Sequence, residues 1–71
     1  MRKDDYEQKF GVGDFAILED EFFDDLTYRV RIEMPIQNED GSWWYEVKVL
    51  DYVDYEKPTY KEVPQSRLRA I

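Results

Sequence analysis

Neither cysteine nor histidine occurs anywhere in the 71 residues. Without cysteine there is no disulfide framework, no thiol nucleophile and no zinc–thiolate centre, a composition compatible with a reducing cytosol. Without histidine the commonest general base, proton shuttle and metal ligand near neutral pH is missing. Ser42 and Ser66 therefore have no imidazole to activate them. Glycine is scarce, and Gly11, Gly13 and Gly41 are spread too thinly to build a phosphate-cradling loop. The carboxylates do not follow the spacing of a calcium-binding loop. No apolar run approaches the ~18–20 residues of a membrane-spanning helix. There is also no basic stretch leading into an apolar one, so no export signal is visible and a cytoplasmic location is expected. Together these absences point away from catalysis, and no cofactor is expected.

Acidic and aromatic residues are abundant. Seventeen Asp and Glu against ten Lys and Arg leave a net charge of −7, and aromatics make up 17% of the chain. The length suits one small domain, and the apolar content is ample for a packed core. Affinity for a nucleic-acid backbone rests on cations neutralising phosphates, so this balance disfavours direct nucleic-acid binding and favours a basic partner.

Period-two alternation dominates from Asp14 onward. The runs 14–18, 27–36, 42–53, 58–63 and 67–71 read as five strands, with residues 64–66 as a one-turn bridge before the last. Tyr28, Val30, Ile32, Met34 and Ile36 share one face of the second strand, and Tyr45, Val47 and Val49 one face of the third. Taken as a two-residue turn, Asp40-Gly41 sets Ile36 opposite Tyr45, Met34 opposite Val47, Ile32 opposite Val49 and Glu33 opposite Lys48. Pro35 then occupies a ladder position that needs an N–H, which predicts a bulge or bend. Asp51 would fall on the core face opposite Val30, which predicts a second break within 50–53. Ahead of the strands, Asp4 or Asp5 could cap a short helical turn that places Tyr6 and Phe10 on one side and ends at Gly11. That segment is ordered only if its rings dock. The expected organisation is an N-terminal extension over 1–11 and a small barrel over 12–71.

The order of these features resembles the Tudor family of SH3-like barrels, with its chromo-barrel and Agenet relatives. Gly13-Asp14 before the first strand is similar to the family's Gly-Asp. Tyr28-Arg29-Val30-Arg31-Ile32 looks like its Tyr-Arg-Ala-x-Val run, and Leu50-Asp51-Tyr52-Val53-Asp54 stands where its Asp-Tyr-Gly-Asn turn falls. Residues 63–71 resemble its Val-x-x-x-x-Leu-Arg ending. The likeness covers roughly residues 10–71 and implies an all-β, five-stranded SH3-like (Tudor-like) barrel with a short N-terminal extension. In members that read methyl-lysine, an aromatic cage holds the ammonium by cation–π attraction. The corresponding places here are Phe22 or Phe23, Tyr28, Val49 or Leu50, and Tyr52. One wall would be aliphatic, and the turn lacks both its glycine and its asparagine, so the departure is from the cage rather than from the fold.

The residues themselves single out the run from Glu19 to Asp25, which joins the first two strands and sets Phe22 and Phe23 among five carboxylates. Neighbouring side chains of an extended loop point opposite ways, so one ring is expected to turn inward and the other to stay partly out. Trp44 lies on the face opposite Tyr45, where it is either an exposed anchor or a cover for Pro35 or Phe10. Arg29 is expected across from Tyr52, mainly balancing nearby acids. The expected function is non-catalytic recognition of a basic protein or peptide through Glu19, Glu21, Phe22, Phe23, Asp24, Asp25, Tyr28, Trp44, Tyr52 and Tyr55. An alternative is an acidic inhibitor that imitates nucleic-acid charge, of the kind some phages encode. Lesser alternatives are a methyl-lysine reader and a nucleic-acid binder working through Arg29, Arg31, Arg67 and Arg69 on one face.

Overall fold

A computed structural model describes residues 6–20, 22–23, 25–51 and 59–71. Five antiparallel strands form a single sheet: β1 (Phe15–Glu19), β2 (Thr27–Gln37), β3 (Trp43–Val49), β4 (Tyr60–Pro64) and β5 (Leu68–Ala70). Their order across the sheet is β4-β3-β2-β1-β5. The edge strands β4 and β5 are consecutive in sequence, joined by a 3₁₀ turn over Gln65–Arg67. Four residues reach at most ~14 Å, whereas five strands laid flat would put the edges roughly 19 Å apart at ~4.8 Å per strand. The sheet is therefore strongly curled. No ladder joins β4 to β5 among the described residues.

The core lies on the concave face. Ala16, Leu18, Val30, Ile32, Tyr45, Val47, Val49, Val63 and Leu68 are buried there at alternate positions of their strands, and Phe10 joins them from the N-terminal segment. Tyr28 and Trp43 pack against this cluster from its margins. Among the described residues no helix is long and apolar enough to cross a membrane.

The β2–β3 hairpin departs from the register expected of a two-residue turn. Gly41 N–H donates to Asn38 O at 2.9 Å, and Asn38 N–H to Ser42 O at 2.9 Å, closing a three-residue loop. Gly41 sits at φ 91°, the left-handed bulge position that such loops require. The turn thus begins at Asn38, and Asp40 instead accepts from Ser42 N–H and Oγ–H. Ile36 consequently faces Trp44, and Pro35 faces Tyr45. A further shift between Ile32 and Met34 places the bulge at Glu33, just upstream of Pro35. Beyond it Ile32 pairs with Val47, Val30 with Val49, and Arg31, not Glu33, with Lys48. The bulge turns the end of β2 over by one residue, so Met34 is exposed and Ile36 only half-buried, rather than both lying in the core.

Asp51 does not oppose Val30. It lies past the end of β3, where one carboxylate oxygen accepts Arg29 N–H at 2.8 Å and the other accepts Arg29 Nε and Nη2 at 3.0 Å. These N–H groups, the backbone one foremost, hold its carboxyl below the usual range. The rest of the expected break over 50–53 lies outside the described residues, as do Asp4 and Asp5.

Residues 6–10 dock on the sheet through polar bonds as well as through Phe10. The Phe10 and Tyr45 rings meet edge to face at 5.6 Å. Tyr45 Oη accepts Lys9 N–H and Phe10 N–H, each at 3.3 Å, and donates to Gln65 Oε1. Gln65 Oε1 also accepts Lys9 N–H at 3.1 Å, and Gln65 Nε2 donates to Glu7 O at 2.8 Å. Trp43 Nε1 donates to Tyr6 O at 3.2 Å. Gln65 is thus buried with its amide engaged, which is the condition for a polar side chain in a core.

Candidate functional site: an acidic aromatic loop and its groove

The loop between β1 and β2 is organised by Asp20. Its Oδ1 accepts Phe22 N–H at 2.8 Å and Phe23 N–H at 3.1 Å, and its Oδ2 accepts Tyr28 Oη–H at 2.9 Å. An aspartate closing a turn on the backbone two residues ahead is a local device written into Asp-x-Phe-Phe. The Phe22 N–H, then the Tyr28 hydroxyl, lower the Asp20 carboxyl below its usual value, and the positive Arg67 adds to this. Asp20 N–H donates to Leu26 O, and Leu26 N–H to Phe23 O, which closes the base of the loop.

Neither phenylalanine turns inward. Phe22 is 82% exposed and Phe23 61%. The expectation of one buried ring is corrected, and the reason is geometric. Asp20 bends the chain into a turn instead of an extended run, and Phe10 and Leu68 already contribute to the core. Asp25 is exposed beside the rings. Glu21, Asp24, Tyr52 and Tyr55 lie outside the described residues.

Glu19 is engaged within the chain. Its carbonyl accepts Arg67 Nε at 3.1 Å and Nη2 at 2.6 Å, and its carboxylate pairs with Arg69 Nε at 2.7 Å. These bonds fasten the root of the loop to the 3₁₀ turn and β5. Of the four arginines of the nucleic-acid alternative, Arg29 is engaged by Asp51 and Arg67 and Arg69 by Glu19, while Arg31 is in no ion pair among the described residues.

Beside the loop opens a groove of about 420 Å³. Leu18 and Val63 line it from the core side, Phe22 and Tyr28 are its aromatic walls, and Asp20, Lys61, Glu62 and Arg67 bring charge to it. The structure therefore brings Phe22 and Tyr28 together with the root of the acidic loop. Trp44 does not join them. It sits beside the β2–β3 turn between Ile36 and Pro64, eight residues along β2 from Tyr28 and so ~25 Å of strand away. There it borders a smaller depression of about 170 Å³ with Asp40, Ser42, Pro64 and Ser66. Its neighbour Trp43 is the tryptophan that holds the N-terminal segment.

Asp20, Lys61 and Glu62 were missed by the sequence reading, and Arg67 was considered only as part of a nucleic-acid-binding face. Only Asp20 carried a local signal, its spacing to Phe22; Lys61 and Glu62 reach the groove through the pairing of β4 with β3, and Arg67 from the 3₁₀ turn. Among the described residues no three His, Asp or Glu side chains converge as a metal site would require. Comparison with protein-family models, with curated proteins and with solved structures returned no match.

Proposed function

We propose that this chain is a non-catalytic binding module of the SH3-like, Tudor-like kind, which recognises a basic protein or peptide through the β1–β2 loop and the groove beside it. The reading of the curled sheet as such a barrel is supported by β5 returning to β1 through a single 3₁₀ turn. The observation that carries the functional reading is the pair of exposed rings, Phe22 and Phe23, held on a loop whose conformation Asp20 sets. A pre-ordered loop loses little entropy on binding, and exposed aromatics are the usual anchors of a contact. The carboxylates around them would steer a cationic partner and make association weaken as salt rises.

The test is affinity purification from host lysate with the wild-type chain, a Phe22→Ala/Phe23→Ala variant and an Asp24→Asn/Asp25→Asn variant. Loss of the recovered partner with the first variant, and weaker capture that depends less on salt with the second, are expected. Recovery of the same partners at the same yield by all three chains refutes the loop as the contact.

A further inference from the structure

The convex face of the sheet carries a charge pattern that neither the core nor the loop explains. Across four neighbouring strands, Phe15 faces Arg31, Arg31 faces Lys48, and Lys48 faces Tyr60. In the adjacent row Met34 faces Glu46, and Glu46 faces Glu62. Each row thus opposes like charges directly, which costs stability in an isolated sheet. None of these four charged side chains forms an ion pair among the described residues, where the pairs are Arg29–Asp51 and Arg69–Glu19. The rows are two residues apart along β3, ~7 Å. Phe15, Met34 and Tyr60 stand beside them, each at least half exposed.

A face with one positive and one negative row is complementary to itself. A two-fold axis lying in the contact plane, parallel to the rows and midway between them, lays the positive row of one copy over the negative row of the other. Lys48 then meets Glu46 of the second copy, and Glu46 its Lys48, while Arg31 lies over the second copy's Met34 and Glu62 over its Tyr60, each charge flanked by an apolar or aromatic side chain. This is the isologous contact that two-fold dimers use. A nucleic-acid strand fits less well, because Glu46 and Glu62 would repel its phosphates immediately beside the cations. A standard interface takes ~800 Å² from each partner. Against a total accessible surface of 5382 Å², that is roughly 15% of the surface of the chain.

We infer that the convex face, centred on Arg31, Lys48, Glu46 and Glu62, is a homodimer interface between two copies of this chain; Glu62 also borders the groove beside the β1–β2 loop, whereas Arg31, Lys48 and Glu46 do not. Sedimentation velocity over a concentration series tests it. The wild type is expected to shift from one to two chain masses with rising concentration, and back toward one as salt rises. Arg31→Glu/Lys48→Glu presents two negative rows, and Glu46→Lys/Glu62→Lys two positive rows. Each alone is expected to dimerise at least tenfold more weakly, and an equimolar mixture to form the heterodimer. Formation of that heterodimer also demonstrates that both variants fold. Should a reversed-charge chain fail to fold, Arg31→Gln/Lys48→Gln carries the same test, again with weaker dimerisation expected. Phe22→Ala/Phe23→Ala is expected to leave dimerisation unchanged, which separates this interface from the loop. A wild type that stays monomeric throughout, or charge-swapped chains that do not pair, overturns the inference. A monomeric wild type that binds a single-stranded oligonucleotide, and loses it in Arg31→Glu/Lys48→Glu, overturns it in favour of a polyanion site.

Discussion

Replacing Tyr45 by phenylalanine removes a buried hydroxyl that makes three hydrogen bonds and leaves the ring. The edge-to-face contact with Phe10 is kept, so packing is nearly unchanged. The loss is polar. Lys9 N–H keeps Gln65 Oε1 as an acceptor, but Phe10 N–H, buried, loses the phenolic oxygen it donates to. Stranding one buried donor costs about 1–3 kcal/mol, and a value near 2 kcal/mol is expected. A chain of this length has ~4–10 kcal/mol of stability at ~0.05–0.15 kcal/mol per residue, so the change removes a fifth to a half of it. At roughly 4–8 °C per kcal/mol for small domains, the melting temperature falls by about 8–16 °C. Urea titration should show a lower midpoint with unchanged slope, and hydrogen exchange should show the Phe10 amide losing protection ahead of the β2 and β3 amides. Combination with Gln65→Ala should be non-additive by ~0.5–3 kcal/mol, since the two side chains share a bond. A stability loss under ~0.5 kcal/mol with Phe10 still protected would refute the reasoning, because the donor would then have an equally good partner in place of the hydroxyl.

Alkaline pH addresses the same group. Burial raises the Tyr45 hydroxyl above its usual 10.0, although the Phe10 and Lys9 N–H groups oppose the shift. Above that value the unfolded chain releases the proton while the folded chain holds it, so stability should fall as pH rises from about 10 toward the folded value. Tyr45→Phe should flatten this limb of a pH series of urea midpoints. At the acid end, Asp20 and Asp51 are lowered by the N–H groups they accept, so their contribution is complete above the usual carboxylate value of 3.8 and is lost as pH falls below it. In Asp20→Ala the Phe22 and Phe23 amides should exchange faster while the β1–β5 ladder is unaffected, and equal exchange in both chains would remove Asp20 as the organiser of the loop. Gly41→Ala should destabilise by about 1–2 kcal/mol, the cost of a left-handed backbone for a residue with a Cβ. Its new methyl would also lie 3.0 Å from Tyr6 Cδ1, so unchanged urea midpoints would contradict the described turn.

The sequence identified the buried face better than the partners across it. Expected and observed pairings of Ile32, Val30, Val47 and Val49 differ by two positions, and a shift of two in a period-two pattern leaves the same side chains inside. Alternation therefore reported the core correctly even while the turn was misplaced. Asn38 was the overlooked residue: asparagine opens a four-residue turn and glycine closes it, so Asn38 to Gly41 competed with Asp40-Gly41 as the turn. Met34 and Ile36 were misassigned because a bulge at Glu33 breaks the alternation, and the proline that signalled it is two residues downstream. The docked N-terminal segment depends on Gln65, which follows β4 and is carried to Glu7, Lys9 and Tyr45 by the pairing of β4 with β3. No local pattern announces such a contact. In the loop, the carboxylates and rings were legible from composition, but their exposure depended on Asp20 bending the backbone.

The Gln65 contacts also set the order in which the molecule can be finished. They join positions 56 and 58 residues apart, so the segment ahead of β1 is clasped by a residue made long after it. Until β4, Gln65 and β5 have been made, β1, β2 and β3 can pair, but Phe10 lacks the buried amide beside it and β1 and β3 have bare outer edges awaiting β5 and β4. Contacts this distant in sequence are slow to close. The chain thus passes through an open-edged sheet, and β1 and β3 are the strands that pair wrongly if another chain reaches them first.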